Sequence, residues 1–205
     1  MKVIGAGRAS EILDVGDGRV LRRGGRPARE ALAMRHAAAH GYPVPAVLEV
    51  RDEGLVLEYL DGPTMLADVL AERGRLEEHA ALFARLHAEL LTIAAPPELG
   101  SGRLLHMDFH PGNVMLSSRG PVVIDWSNVR AGDPALDVAM TWILCATSGG
   151  ELGERFVRAY LTHFNESAAR RALPEAAATR VADPNVTDEE REAVRSLSRR
   201  ESLRP

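Results

Sequence analysis

Lysine is almost absent from this sequence, and a surplus of basic residues is absent too. Lys2 is the only lysine, so the remaining cations are arginines, apart from the histidines. Aspartate and glutamate number 29 against 25 for lysine and arginine, which gives a formal net charge of −4. Because a general nucleic-acid binder normally carries a basic surplus, we expect no nucleic-acid partner.

Cysteine and long apolar runs are equally scarce. Cys145 is the only cysteine, so no disulfide can form within the chain, which suits a reducing cytoplasm. Its apolar neighbours predict a buried, unreactive thiol. No uncharged apolar stretch reaches the roughly 18 residues of a membrane span, and Arg8 and Glu11 interrupt the N-terminal segment where a signal peptide needs an apolar run. We therefore expect a cytoplasmic protein with no membrane partner.

The first part of the chain reads as strands around one helix. Residues 2–22 alternate short apolar stretches with glycines, and the Asp-Gly step at residues 17–18 is a strong hairpin signal. A helix is predicted over residues 28–40, since a proline precedes it and a glycine follows it. Two further strands are predicted over residues 46–51 and 55–59.

Helices dominate after residue 60. The hydrophobic periodicity and the cap residues predict helices over 64–71, 76–93, 134–147, 151–164, 167–181 and 188–200, and short strands over 104–106, 114–116 and 122–124. Thr187 and Glu190 form a capping box at the last helix. The layout predicts an α+β fold of two lobes, a β-rich N-terminal lobe over residues 1–59 and a helical C-terminal lobe over residues 60–205. A ligand cleft is expected between them.

Two carboxylates and an amide stand at the edges of short apolar strands in the middle of the chain. Asp108 and Asn113 belong to the segment HMDFHPGN at residues 106–113, and Asp125 follows Val122-Val123-Ile124. Phosphoryl transfer needs such a set, because one carboxylate must accept the proton of the attacking hydroxyl. An amide oxygen and a second carboxylate must also hold magnesium against the triphosphate.

The motif H-x-D-x-x-x-x-N, followed twelve residues later by an aspartate, resembles the aminoglycoside phosphotransferase and choline kinase-like family of the protein-kinase-like superfamily. The stretch GDPALD at residues 132–137 is similar to that family too, and the resemblance covers roughly residues 3–160. It implies a bilobal protein-kinase-like fold. It also implies magnesium-dependent transfer of the γ-phosphoryl group of ATP or GTP to a hydroxyl of an aminoglycoside-, choline- or sugar-like molecule.

The resemblance assigns roles residue by residue. It implies that Asp108 is the catalytic base, that Asn113 and Asp125 are the magnesium ligands, and that His106 and Asp137 brace the loop. In the N-terminal lobe it implies a shortened phosphate-covering loop with Gly5, Gly7 and Ser10. It also implies that Arg22 takes the place of the phosphate-contacting lysine and that Glu30 is the ion-pair partner of Arg22. Glu58 and Leu60 are implied to lie in the hinge that reads the purine.

Departures from the family pattern keep other interpretations open. Arginine at position 22 keeps the charge of lysine but alters its reach and geometry, and the upper loop lacks a third glycine. These two features allow a catalytically weak nucleotide-binding pseudokinase as an alternative. A protein kinase is disfavoured, because the few residues between Asp125 and Pro134 leave no room for the activation segment on which a peptide docks.

Two further alternatives come from other residue patterns. His106, Asp108 and His110 alternate, so on a strand they would share one face and could form the metal site of a metallohydrolase. Residues 3–10 resemble the start of a dinucleotide fingerprint. That motif requires a helix directly after its glycines, and the glycines at 16 and 18 would break such a helix.

Overall fold

The computed structural model describes residues 2–6, 11–71 and 75–203. Its N-terminal part contains a five-stranded antiparallel sheet in the order β1-β2-β3-β5-β4. The strands are β1 (Lys2–Ala6), β2 (Glu11–Gly16), β3 (Arg19–Arg23), β4 (Val47–Arg51) and β5 (Gly54–Glu58). The helix α1 (Pro27–Ala39) connects β3 to β4 and packs against β4 and β5.

The hairpin between β2 and β3 sets which face of the sheet receives Arg22. Asp17 and Gly18 have φ angles of 54° and 66°, the left-handed conformation that an Asp-Gly step adopts most readily. Because side chains alternate along a strand, Arg22 shares one face of β3 with Val20. Leu21 lies on the opposite face, in a small separate apolar cluster. Arg22 is thereby buried and directed towards the rest of the molecule.

The C-terminal part is mainly helical. Its helices are α2 (Met65–Ala71), α3 (Leu76–Leu90), α4 (Pro134–Ser148), α5 (Gly150–Leu161), α6 (Glu166–Val181) and α7 (Asp188–Ser202). Two short antiparallel pairs join β6 (Arg103–Leu105) to β9 (Arg130–Gly132) and β7 (Val114–Ser117) to β8 (Gly120–Val123). Short 3-10 turns occupy Pro97–Leu99 and Pro111–Asn113. The helix α4 packs against α5, α6 and α7 and forms the centre of this lobe.

One apolar core runs through both lobes. It extends from Val20 and Leu57 in the sheet to Leu197 in α7. Phe83 lies at its centre, with ring centroids 4.6 Å from Phe109 and 5.5 Å from Tyr160, distances at which aromatic pairs attract each other. Since Phe109 directly follows Asp108, the loop that carries Asp108 is anchored on this core. In the part of the chain that the structure describes, no helix combines the length and the apolar character needed to span a membrane.

The predicted α+β architecture is confirmed, and two local predictions are corrected. The structure contains β9, which the sequence analysis missed because a three-residue, half-buried strand shows no alternation. The helix α3 ends at Leu90, before the predicted residue 93. The dinucleotide alternative is wrong, because β2 begins at Glu11 and runs antiparallel to β1 where that motif requires a helix.

Candidate active site

Asp108 and Asn113 lie in the loop between β6 and β7. The 3-10 turn Pro111–Asn113 is capped by His110, whose Nδ1 accepts a hydrogen bond from the Gly112 backbone N–H at 3.1 Å. This turn brings Asn113 back towards Asp108, where its Nδ2 donates to the Asp108 backbone oxygen at 2.9 Å and to Oδ2 at 3.2 Å. Asp108 Oδ1 accepts no hydrogen bond from the described residues, so it is free to meet a ligand.

Asp137, in the first turn of α4, holds the same loop from behind. It is fully buried, and its two oxygens accept hydrogen bonds from the backbone N–H groups of His106 at 2.6 Å and Met107 at 2.8 Å. Burial raises the pKa of Asp137, but the nearby His87 and the hydrogen bond from the His106 backbone N–H help to outweigh burial and hold the pKa below its usual value. Met107 has a φ of 63°, which is uncommon for a residue with a side chain. The Asp137 carboxylate therefore stabilises a strained backbone beside Asp108.

His106 joins the two halves of the site. Its Nε2 lies 3.0 Å from the Ile124 carbonyl oxygen, and its Nδ1 accepts a hydrogen bond from the Asp108 backbone N–H at 3.3 Å. These partners place the ring proton on Nε2. Burial lowers the pKa of His106, so the ring is neutral at pH 7. Both ring nitrogens are thus committed to the backbone.

His87 lies behind Asp137, and the sequence analysis gave it no part in the site. Its Nδ1 is 2.7 Å from the Tyr160 hydroxyl oxygen, and its ring stacks on Phe109 with centroids 4.2 Å apart. Its Nε2 lies 3.3 Å from Asp137 Oδ2, close enough for electrostatic attraction although the ring is poorly aligned for a hydrogen bond. His87 is a buried residue of α3, and no local pattern in the sequence could reveal its contact with α4.

Arg22 connects the sheet to the C-terminal lobe. Its guanidinium group donates at 2.7 Å both to Glu30 Oε2 in α1 and to Asp125 Oδ1. Arg22 and Glu30 are buried, and Glu30 Oε1 also accepts from the Arg26 backbone N–H at 2.9 Å. A Cβ at Gly25 would lie 2.1 Å from Glu30 Oε1, so this close approach requires glycine. The planar fork of arginine lets one side chain bind two carboxylates at once.

Asp125 follows β8 with a φ of 59°, a second left-handed residue at the site. Its Oδ1 accepts hydrogen bonds from Arg22 and from the Ser127 hydroxyl at 2.8 Å. Burial raises the pKa of Asp125, but the Arg22 charge and the hydrogen bonds from Ser127 together help to hold the pKa below its usual value. The sequence analysis missed Ser127, although a serine two residues after an aspartate is a common local hydrogen-bond spacing.

Asn113 and Asp125 lie side by side, because the Ile124 backbone N–H donates to the Asn113 carbonyl oxygen at 2.9 Å. Asn113 uses its amide nitrogen to bind Asp108, and this leaves its side-chain oxygen open. The side-chain donors Arg22 and Ser127 both bind Asp125 Oδ1, and this leaves Oδ2 without a side-chain donor among the described residues. The two open atoms are oxygens, the ligand type that Mg²⁺ prefers. The donor set therefore fits a magnesium ion.

A cavity of about 830 Å³ opens beside these side chains. Arg22, Asp108, Asn113 and Asp125 form one part of its wall together with neighbouring residues, and much of the rest comes from α2, α4, α5 and residues 180–185. Ligand-binding cavities of proteins commonly have volumes of about 300–1,000 Å³. A cation, two carboxylates and an amide from different parts of the chain thus face one space large enough for a small molecule.

A family model matches the part of the chain that contains most of the site. The model described as "APH: Phosphotransferase enzyme family" matches residues 49–174, well over half of the chain. The chain belongs to this family. The matched region includes Asp108, Asn113, Asp125 and Asp137, so it covers both the open face of the site and its buried support.

Matches of this APH-family chain to individual curated proteins cover only a short segment. The thiamine kinase of Shigella boydii serotype 4 (strain Sb227) is 46% identical over 39 residues, which are 19% of this chain and 14% of that protein. The thiamine kinase of Salmonella newport matches to the same extent. The match thus spans about one seventh of the length of these curated relatives.

Solved structures share the fold along the whole chain. A ternary complex of the aminoglycoside phosphotransferase APH(4)-Ia with AMP-PNP and hygromycin B has a TM-score of 0.71 at 16% identity, and the match covers 100% of this chain and 94% of that chain. A choline/ethanolamine kinase family protein from Mesorhizobium loti has a TM-score of 0.61 at 17% identity, with 100% and 88% covered. At such identities the likeness concerns the fold, and it confirms the bilobal protein-kinase-like architecture.

Of the remaining predicted nucleotide-binding residues, the described Gly5, Glu58 and Leu60 lie outside the cavity lining. Gly5 lies in the edge strand β1, where it pairs with Ile12, and Gly7 and Ser10 fall outside the described residues. Glu58 ends β5, and its carboxylate forms an ion pair with Arg119 and accepts from the Ala46 backbone N–H at 3.1 Å. Leu60 follows it in the connection between the lobes. Their roles in nucleotide binding stay predictions.

The metallohydrolase alternative lacks its ligand set. Among residues 2–6, 11–71 and 75–203, no three His, Cys, Asp or Glu side chains are placed to hold a metal ion together. His106 uses both ring nitrogens on the backbone, and His110 Nδ1 caps the turn at Gly112. The alternating residues His106, Asp108 and His110 therefore belong to a loop and the turn after it, and they do not share one face of a strand.

Proposed function

We propose that this protein is a magnesium-dependent small-molecule kinase, which transfers the γ-phosphoryl group of ATP or GTP to a hydroxyl group of its acceptor. The observation that carries the proposal is the meeting of Arg22, Asp108, Asn113 and Asp125 on one cavity wall, in a chain of the APH family. In this proposal residues 1–59 form the nucleotide-binding lobe, and residues 60–205 form the catalytic and acceptor-binding lobe.

Asp108 is the catalytic base in this proposal. Its Oδ1 orients the acceptor hydroxyl and takes its proton, while Asn113 holds Oδ2. The hydroxyl oxygen bonds to the γ-phosphorus as the bond between that phosphorus and the bridging oxygen breaks, and a nucleoside diphosphate leaves. Positioned bases of this kind contribute about 10²- to 10⁴-fold to rates.

Asn113 and Asp125 supply the oxygens that would hold Mg²⁺. The ion neutralises charge on the β- and γ-phosphates when it is bound. Asn113 is held in place through its hydrogen bonds to Asp108, and Asp125 through its hydrogen bonds from Arg22 and Ser127. Both side chains therefore keep their orientation before any ligand arrives.

Arg22 brings a positive charge to the triphosphate side of the cavity. Glu30 fixes the guanidinium group, so little side-chain entropy is left to lose when a phosphate binds. The proposal also keeps the family-derived roles of Gly5, Gly7 and Ser10 over the phosphates, and of Glu58 and Leu60 beside the purine.

The substitution Asp108→Asn tests the base assignment. Turnover is measured as nucleoside diphosphate release with Mg·ATP and a panel of aminoglycosides, choline, thiamine and sugars. We expect turnover to fall by about 100-fold or more, and the Kd for Mg·ATP to stay within about twofold. Asp17→Asn, at an exposed hairpin turn, is the matched control and should change neither value.

Near wild-type turnover in Asp108→Asn would contradict the assignment of the base. A wild-type protein that binds Mg·ATP but phosphorylates no member of the panel would favour the pseudokinase alternative.

A further inference from the structure

The part of the cavity away from the phosphates has an apolar wall. Two elements build it, α2 on one side and the junction of α4 with α5 on the other. The apolar lining side chains are Leu66, Val69, Leu70, Leu144, Leu152 and Phe156. Such a wall, with a few polar groups at one end, is typical of sites that bind the apolar part of a small molecule.

Two leucines on α2 stand out because they are exposed. Leu66 and Leu70 lie one helical turn apart and are 42% and 53% exposed. A Cβ added at Gly112 would lie 3.7 Å from Leu66 Cδ2, so this leucine stands directly beside the turn that carries Asn113. Apolar surface next to a catalytic loop is unfavourable in water and is stabilised when an apolar ligand group covers it.

The carboxylates of the cavity are already engaged. Asp108 is the proposed base, and Asp125 is bound by Arg22. Asp183 Oδ2 lies 3.4 Å from the Arg180 guanidinium group, and its Oδ1 accepts from the backbone N–H of Asn185 at 2.8 Å and from its side chain at 3.1 Å. Asp183 is therefore paired within the lining, whereas Asp108 Oδ1 and Asp125 Oδ2 are open and have roles in the proposed chemistry.

The cavity lining also contains a basic side chain without an ionic partner among the described residues. Arg26 is an exposed residue that lines the cavity, and it forms no ion pair with the described residues. The acidic residues Glu151 and Glu154 of α5 are exposed and lie outside the cavity lining. The cavity lining therefore combines an apolar wall with a cation that has no ionic partner among the described residues.

We infer that the acceptor is a hydroxyl compound with a substantial apolar body. This inference rests on the proposed function, because it names the acceptor class of the same site. The apolar wall binds the body of the acceptor and leaves its hydroxyl group at Asp108 Oδ1.

Calorimetric titration of uncharged alkyl β-D-glucosides tests this inference without nucleotide. Methyl, butyl, hexyl and octyl glucosides are used below their micelle concentrations, and kanamycin is the polycationic probe. We expect the affinity to rise roughly three- to fourfold for each methylene group that becomes buried. Kanamycin, which has no comparable apolar body, should bind more weakly than octyl glucoside.

Paired serine substitutions locate the binding. Leu70→Ser should weaken octyl glucoside binding about fivefold. Leu48→Ser removes a leucine that is 50% exposed in β4 and outside the cavity lining, so it should leave the affinity unchanged. Since both leucines are exposed, neither substitution should disturb folding.

Three outcomes would overturn the inference: affinity independent of chain length, an equal effect of the two substitutions, or tighter binding of kanamycin than of octyl glucoside. The titration uses no nucleotide, so its result does not depend on the proposed kinase activity. Phosphorylation of kanamycin with Mg·ATP would support the proposed function and would still overturn the inferred acceptor class.

Discussion

The substitution Asp137→Asn should separate the support of the catalytic loop from its chemistry. Asp137 is fully buried and lines no part of the cavity, yet it binds the backbone N–H groups of His106 and Met107 at 2.6 and 2.8 Å. Asparagine has nearly the same shape but only one acceptor oxygen. One of the two backbone N–H groups would therefore face an amide N–H₂ group and stay unpaired.

The expected cost follows from these contacts. A hydrogen bond to a charged group contributes about 1.5–3 kcal/mol, and an unsatisfied buried donor costs about 1–3 kcal/mol. We expect Asp137→Asn to lower the free energy of unfolding by about 3 kcal/mol. We also expect turnover to fall at least about tenfold, because the left-handed Met107 beside Asp108 loses its support.

Urea denaturation and turnover measure the two effects in the same samples. Asp133→Asn is the matched control, since Asp133 is exposed and caps α4 by accepting from the Ala135 backbone N–H at 2.8 Å. Asparagine caps a helix about as well as aspartate, so this control should be close to neutral. A stability loss in Asp137→Asn below about 1 kcal/mol, or one equal to that of the control, would refute the reasoning.

The Asp137 carboxyl group also predicts how the stability of the protein depends on pH. The pKa of Asp137 in the folded protein lies below its usual value, whereas the unfolded chain titrates near about 3.9. Its ionised form therefore contributes stability in full above about pH 4, and this contribution is lost as the pH falls through the folded pKa. Asparagine does not titrate, so the stability difference between wild type and Asp137→Asn should shrink at acid pH.

Two further predictions concern buried groups. Arg22→Met leaves Glu30 buried without its cationic partner and should lower the free energy of unfolding by about 3–5 kcal/mol. The double variant with Glu30→Met should recover most of that loss. Equal stability of the single and double variants in urea denaturation would contradict this coupling. Burial raises the pKa of the Cys145 thiol to about 12. Iodoacetamide at pH 8 should therefore alkylate Cys145 only in urea, as measured by intact mass. Equal alkylation rates in native and unfolded protein would contradict the assignment of a buried thiol.

The sequence analysis could identify the loop of the proposed catalytic residues because that chemistry is local in sequence. The acids and the amide stand within one short segment and the strand that follows it, and phosphoryl transfer requires those groups together. The hairpin at Asp17-Gly18 and the capping box at Thr187 and Glu190 were also predicted from neighbouring residues, and the structure contains both.

Features that depend on distant contacts could not be predicted in this way. His87 looked like a core residue of α3, since its partners Tyr160 and Asp137 come from other helices. The exposure of Leu66 and Leu70 depends on what the rest of the chain places opposite α2, whereas their spacing alone suits any amphipathic helix. The shape of the acceptor side therefore required the tertiary structure.

Titration of ATP and GTP into the protein, with and without Mg²⁺, tests the central claim most directly. The proposed site predicts that one or both nucleotides bind more tightly with Mg²⁺. It also predicts that Asp125→Ala weakens binding in the presence of Mg²⁺ and has a smaller effect in its absence, because Asp125 Oδ2 is a proposed metal ligand. An equal loss with and without Mg²⁺, or no binding of either nucleotide to the wild-type protein, would contradict the proposed kinase site.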